Sequence, residues 1–190
     1  GVNAPSNYLR RDERAAGRLA VEKIAEKGYE DMLFVGLDRW ENCHYSVVDR
    51  PGGAVEAAER LGVDLEILDV VFMPGEVERF RKPLGDGIHP NRAVIAWNIG
   101  LAEWCGHVAA ERGMIPGRDF ALACCESLED TDAVWPELSR VDFDRRQMGL
   151  DAANMLLRVI ENEPVDASER VYVGNWLEGH TIPGLPVSNA

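Results

Sequence analysis

The sequence predicts an α/β fold, a parallel sheet flanked by helices on both faces. Three observations carry that prediction. Helical and strand periods alternate from Asp12 to about residue 125. The strand segments are continuous apolar runs, as strands buried on both faces require. The chain has 190 residues, 46% of them hydrophobic, enough to enclose a core without disulfide staples.

The elements follow in order. Asp12 is a helix N-cap, and Ala16, Leu19, Ala20, Ile24 and Ala25 recur behind it at helical spacing until Gly28. The run 32–36 is a buried strand, and a polar loop from Asp38 to Tyr45 leads to a helix over 46–61, ended by Gly62. A strand over 65–70, a weaker helix over 76–84 and a loop over 85–91 come next. A strand over 93–97, a helix over 99–112 closed by Gly113, and a strand over 120–125 complete the regular alternation. Beyond it the chain is acidic and irregular over 128–136. A short strand over 138–143 and an amphipathic helix over 148–161 follow, then a last strand over 170–177. In parallel α/β sheets ligands sit at the carboxyl ends of the strands, which places candidate positions just after Gly36, Val70, Trp97 and Cys125.

Composition narrows the partners. Thirty-three acidic residues against 20 basic ones give a net charge of −13 and a pI near 4.7. Such a chain is a poor direct binder of nucleic acid or of anionic membranes. No run approaches the ~20 apolar residues of a membrane span, and the first ten residues hold no apolar signal-peptide segment. Cys43, Cys105, Cys124 and Cys125 form no C-x-x-C, and the four histidines are scattered, so free thiols are expected and no zinc site or other metal. Neighbouring residues of a strand point to opposite faces, which separates Cys124 from Cys125. No nucleophile elbow, Walker loop, metalloprotease helix or dinucleotide fingerprint is present. The reading is therefore a binding protein without catalytic residues or a cofactor.

Several fragments, in order and at consistent spacing, resemble LacI/GalR-type transcriptional regulators. They begin with Asp12-x-x-x-Ala16-Gly17-x-x-Ala20-x-x-x-Ile24-x-x-x-Gly28-Tyr29 and Arg50-x-x-Gly53. Ile95-Ala-Trp-Asn98-x-x-x-Ala102 and Gly113-x-x-Pro116-x-x-Asp119 running to Glu126 come next. Pro136-x-Leu138-Ser139-x-Val141 and Gly149-x-x-Ala152-x-x-x-Leu156-Leu157 close the series. The resemblance spans about residues 9 to 184. It implies the fold of type I periplasmic binding proteins, two α/β lobes with a small ligand between them. Tyr29 stands for a His at the end of the first helix, and the other departures cluster near the ligand end: Ile99 for an Asp, Cys124-Cys125 for a Gly-aromatic pair, Glu126 for an Asp. The closing Arg is absent from Glu178-Gly-His-Thr181. Two outcomes stay open, an effector unlike the common sugars and purines, or no small molecule.

Six ligand positions are expected. Arg50 matches the family's effector-binding Arg, and a guanidinium at a strand end can fork onto hydroxyls or a carboxylate. Its other reading is an internal pair with Asp49 or Glu126. Asn98 and Glu126 are polar groups at strand ends, with satisfaction of those ends as the alternative. Ser46 lies one turn before Arg50 and matches a polar contact of the family. Phe72 and Trp97 offer flat surfaces to a sugar ring, or core packing.

The resemblance further implies a division into a crossover segment (1–11), a C-terminal lobe (12–136), a strand and helix of an incomplete N-terminal lobe (137–165), and a return strand with tail (166–190). The apolar face of the 148–161 helix would then lack its usual partners, which favours oligomerisation or repacking onto the lobe. The function expected is the sugar-like effector-binding and oligomerisation part of a cytoplasmic homodimeric regulator, with DNA contacted only through an absent helix-turn-helix. Half a cleft would bind its effector weakly. The alternatives are a periplasmic sugar-binding protein of an uptake system and a small α/β enzyme.

Overall fold

The computed structural model describes residues 9–71, 73, 75–126, 137–163 and 170–185. The elements are β1 (Leu9–Arg11), α1 (Glu13–Ala25), β2 (Asp31–Leu37), α2 (Ser46–Leu61), β3 (Asp64–Val70) and a 3₁₀ turn (Val77–Phe80). They continue with α3 (Arg81–Gly87), β4 (Ala93–Ala96), α4 (Ile99–Ala110), β5 (Ala121–Cys124), β6 (Ser139–Asp142), α5 (Arg145–Ile160), β7 (Arg170–Tyr172) and β8 (Asn175–Leu177).

Six strands form the main sheet in the order β3-β2-β4-β5-β6-β8. The first five run parallel, and β8 closes the edge antiparallel to β6. The α/β class and the helices on both faces are as expected. Ala16, Ala20 and Ile24 of α1 and Ala54 and Ala57 of α2 pack on Met32, Phe34, Ile95 and Ala123. Leu84 of α3 and Leu101, Cys105 and Val108 of α4 cover the opposite face, on Leu33, Val35, Val94 and Leu122. Strand alternation assigns Cys125 to the first core and Cys124 to the second. Tyr29, wholly buried, donates its hydroxyl to the Pro183 carbonyl at 2.9 Å and ties the end of α1 to the C-terminal segment.

The α1–α2 pair is unusually close because two glycines lie at the crossing. A Cβ on Gly17 would stand 1.9 Å from the Arg50 carbonyl oxygen, and one on Gly53 1.9 Å from that of Arg14. Gly53, read in the sequence as part of a motif, is there for backbone approach.

Three expectations are corrected. The weak helix of 76–84 is a 3₁₀ turn followed by α3, which runs through Gly85 to Gly87 rather than stopping for a loop. Gly85 does not break the helix; a Cβ there would meet Arg112 Cζ at 2.2 Å, so it makes room for that side chain. The last helix starts at Arg145, three residues early, because Asp144 caps it through the Gln147 amide. The single strand expected over 170–177 is two strands: β7 pairs with β1, outside the main sheet, and β8 with β6. Between them Gly174 passes so close to Val141 that a Cβ would lie 2.4 Å from its Cγ1. The strand expected over 138–143 is present, and it hydrogen-bonds to β5 as an inner strand of the main sheet. Its Val141 belongs to the α1/α2 core.

The helix α5 has no buried residue. Leu150, Leu156, Leu157, Val159 and Ile160 are each about half exposed or more, so among the described residues the apolar face is left open beyond Met148, which packs on the α1/α2 core. The irregular stretch 128–136 lies outside the described residues.

Candidate functional site

The site grows from the carboxyl ends of β4 and β5 and the first turns of α1 and α2. Trp97 follows β4, fixed by its backbone amide on Val35 O at 2.9 Å. Its indole N–H donates to the Ser46 carbonyl at 3.0 Å and so joins the end of β4 to the start of α2. Arg50 lies one turn further along α2, with its guanidinium over the Trp97 ring at 4.6 Å from the centroid.

Arg50 is fully buried. Its Nε donates to Glu13 Oε2 at 2.6 Å, one terminal nitrogen to the Trp97 carbonyl at 2.5 Å, and the other to Glu126 Oε2 at 2.9 Å. Glu13, also buried, turns its second oxygen to Arg11 at 2.8 Å. Glu126 Oε1 accepts from both Arg11 and Arg145. Arg11 stacks over Phe143 at 5.3 Å. Three guanidiniums and two carboxylates therefore interlock across β1, α1, α2, the end of β5 and the start of α5. Burial would push the Glu126 carboxyl up; the Arg50 charge and the Arg11 hydrogen bond and charge outweigh it and hold it at about 2. Burial, the largest cause, pushes the Cys124 thiol up to about 12, and Cys105 and Cys125 are likewise raised and buried. These three thiols are inert packing groups.

Of the six sequence candidates, Arg50, Trp97, Ser46 and Glu126 come together. The internal pairing left open for Arg50 is realised with Glu126, not with Asp49. Ser46 is buried, with its hydroxyl 2.6 Å from His44 Nδ1. Asn98 caps α4, its side-chain oxygen accepting from the Leu101 amide at 2.9 Å. Phe72 lies outside the described residues. Asp12 is the expected cap of α1, accepting from the Ala15 amide at 2.8 Å.

Sequence reasoning missed Glu13, Arg11 and Arg145. A signal for Glu13 was present: it falls in the spacing of Ala16, Ala20 and Ile24, on the stripe that α1 buries. An acid on that stripe requires a cationic partner. Arg11 and Arg145 carry no such local signal.

At the carboxyl ends of β2 and β3 lies a mostly apolar cavity of about 520 Å³ lined by Leu37, Asp38, Arg39, Trp40, Val70, Val71 and Met73. This is where ligand positions were expected after Gly36 and Val70. Among the described residues no group of His, Cys, Asp and Glu could hold a metal ion. No described helix is long and apolar enough to cross a membrane.

Known proteins share this fold. The chain is 26% identical over 118 residues to the ribose operon repressor of Bacillus subtilis, covering 62% of this chain and 36% of that one. It thus spans about a third of that relative's length. Among solved structures it resembles a LacI family transcriptional regulator from Enterococcus faecium with bound ribose. The TM-score is 0.81 at 19% identity, over 98% of this chain and 69% of that one. The xylose-binding transcription activator xylR gives 0.81 at 18% identity over 97% of this chain and 50% of its own. A dimeric Lac repressor gives 0.77 at 18% identity, over 97% and 67%. Residues 21–182 match the periplasmic binding protein-like domain family, and the chain belongs to it.

Proposed function

We propose that this chain is the effector-binding part of a LacI-type transcription regulator and that its effector is a small sugar-like molecule. The observation that carries the reading is the convergence of Arg50, Trp97, Ser46 and Glu126 at the carboxyl ends of a parallel sheet, the position where such sheets take ligands. The relatives named above include regulators bound to ribose or described as xylose-binding.

Two expectations about the site are adjusted within this reading, those for Arg50 and Asn98. Glu126, the cluster's partly exposed carboxylate, accepts ligand hydroxyls, and Trp97 offers its ring. Arg50 acts through Glu126 by holding it ionised and oriented. Asn98 serves the helix end, with its amide nitrogen left to meet the ligand.

The regulator works by differential binding: effector favours one arrangement of the lobes and shifts the DNA-binding elements with it. DNA contact is assigned to a segment outside this chain, in keeping with its net charge of −13. The assembly proposed is a homodimer in the cytoplasm, supported by the exposed apolar face of α5.

The test is a thermal-shift screen of uncharged pentoses and hexoses against the wild type and Glu126→Gln. A saturable rise in Tm with one sugar, weakened in the variant, supports the reading. A flat response across the panel overturns it.

A further inference from the structure

We propose that Glu126 is a relay: its carboxylate passes a change at the sheet end on to an outlying unit made of β1, β7 and α5, through Arg11 and Arg145. This rests on the ligand-site reading above and adds the path by which a bound ligand is felt outside the main sheet.

The outlying unit is held together by its own bonds. β1 and β7 pair with each other and with no strand of the main sheet. The Asp12 amide, just past β1, donates to the Tyr172 carbonyl at 2.8 Å. The Tyr172 hydroxyl in turn donates to Asp151 of α5 at 2.5 Å. The helix α5 buries no residue, and Met148 packs on the α1/α2 core from partial exposure. Against this light apolar attachment stand the charged contacts. Arg11 is the last residue of β1 and Arg145 the first of α5, and both donate to Glu126 Oε1. Glu126 Oε2 accepts from Arg50 of α2 at 2.9 Å. One carboxylate thus meets the sheet end with one oxygen and the outlying unit with the other. Its backbone follows β5, and the Cys124 thiol donates to the Glu126 carbonyl at 3.0 Å. The side chains open to solvent here are those of Arg145 (31%), Arg11 (15%) and Glu126 (13%). A ligand arriving at this opening meets the same contacts that hold the unit. Charged hydrogen bonds that share one acceptor in a partly buried site polarise one another, so weakening one redistributes the rest. Coupling of this kind is reciprocal.

The test is amide hydrogen exchange by NMR on the 190-residue chain, without ligand. It is read at Met148, whose amide donates to the Asp144 carbonyl at 3.0 Å in the first turn of α5. The hydrogen-bond partners of the Arg50 side chain are Glu13, Trp97 and Glu126, none of them in α5. Arg50→Lys is nonetheless expected to speed exchange at Met148 about tenfold. The Cys125 amide, bonded to the Ala96 carbonyl at 3.0 Å, is the reference for general loosening. In an Arg145→Gln background the path is already cut, and the same substitution is expected to change Met148 by less than about twofold. A merely structural Arg50 gives the same factor in both backgrounds, or moves Cys125 as much as Met148. Either result overturns the proposal, as does a Met148 amide indifferent to Arg50→Lys. Should Arg50→Lys not fold, Glu126→Asp takes its place in both backgrounds, because its shorter carboxylate cannot reach Arg50 and Arg145 together. No sugar enters these arms, so a failed relay and a failed sugar screen are separate results.

Discussion

Glu13 and Arg50, 37 positions apart in the chain, form an ion pair at 2.6 Å with neither side chain exposed to water. Burying two charges is favourable only when each has its partner, and Arg50 is the partner of both Glu13 and Glu126.

Replacing Arg50 with Ala leaves Glu13 buried with only Arg11 to answer it and removes one of the cations on Glu126. A loss of about 3–5 kcal/mol is expected, with Arg50→Lys recovering only part because an ammonium cannot serve three acceptors in one plane. Urea unfolding at constant m value measures it. A loss below about 1 kcal/mol, within the range of an exposed pair, would contradict the buried network.

Acid should unfold this protein partly through Glu126. Its carboxyl is held at about 2, below its ordinary value of 4.5. A folded-state pKa below the unfolded one contributes stability that is complete above the unfolded value and lost as pH falls toward the folded one. The window is therefore pH 4.5 to 2, and a difference of that size is worth about 3 kcal/mol. Glu126→Gln, already less stable at neutral pH, should show a flatter decline across that window. Parallel curves for the two proteins would place the acid sensitivity elsewhere.

The helix crossing gives a steric prediction. Gly53→Ala drives a Cβ into the Arg14 carbonyl, and separation of α1 from α2 would draw Glu13 off Arg50. A loss of about 3 kcal/mol is expected. Gly149→Ala in α5 meets nothing within 4 Å and should instead stabilise by about 0.5–1 kcal/mol. Thermal unfolding of both variants distinguishes a packing glycine from a merely flexible one; equal effects would refute the close crossing.

What could be read from the chain was local. The α2 helix was expected over the residues it occupies, and β2, β4 and β5 were visible as apolar runs bounded by turn residues. These features depend on neighbours within a few residues, so the sequence displays them directly. The convergence of Arg50, Trp97 and Glu126 was also legible, because parallel strands bring their carboxyl ends to one edge. Misreadings arose where a residue serves something distant. Gly85 resembles a helix stop until Arg112 packs against it, and the 170–177 run resembles one strand until Gly174 carries it past Val141.

Sequence by itself therefore determined the α/β class and the order of the elements from α1 to β5, and pointed to the strand ends where α/β sheets take ligands. Only the tertiary structure decided which charges neutralise one another. Glu13 and Arg50 lie on different helices, and Arg11, Glu126 and Arg145 on three further segments. Coulombic pairing in a dry interior depends on separation in space, and that separation is set by two glycines that let the backbones of α1 and α2 touch.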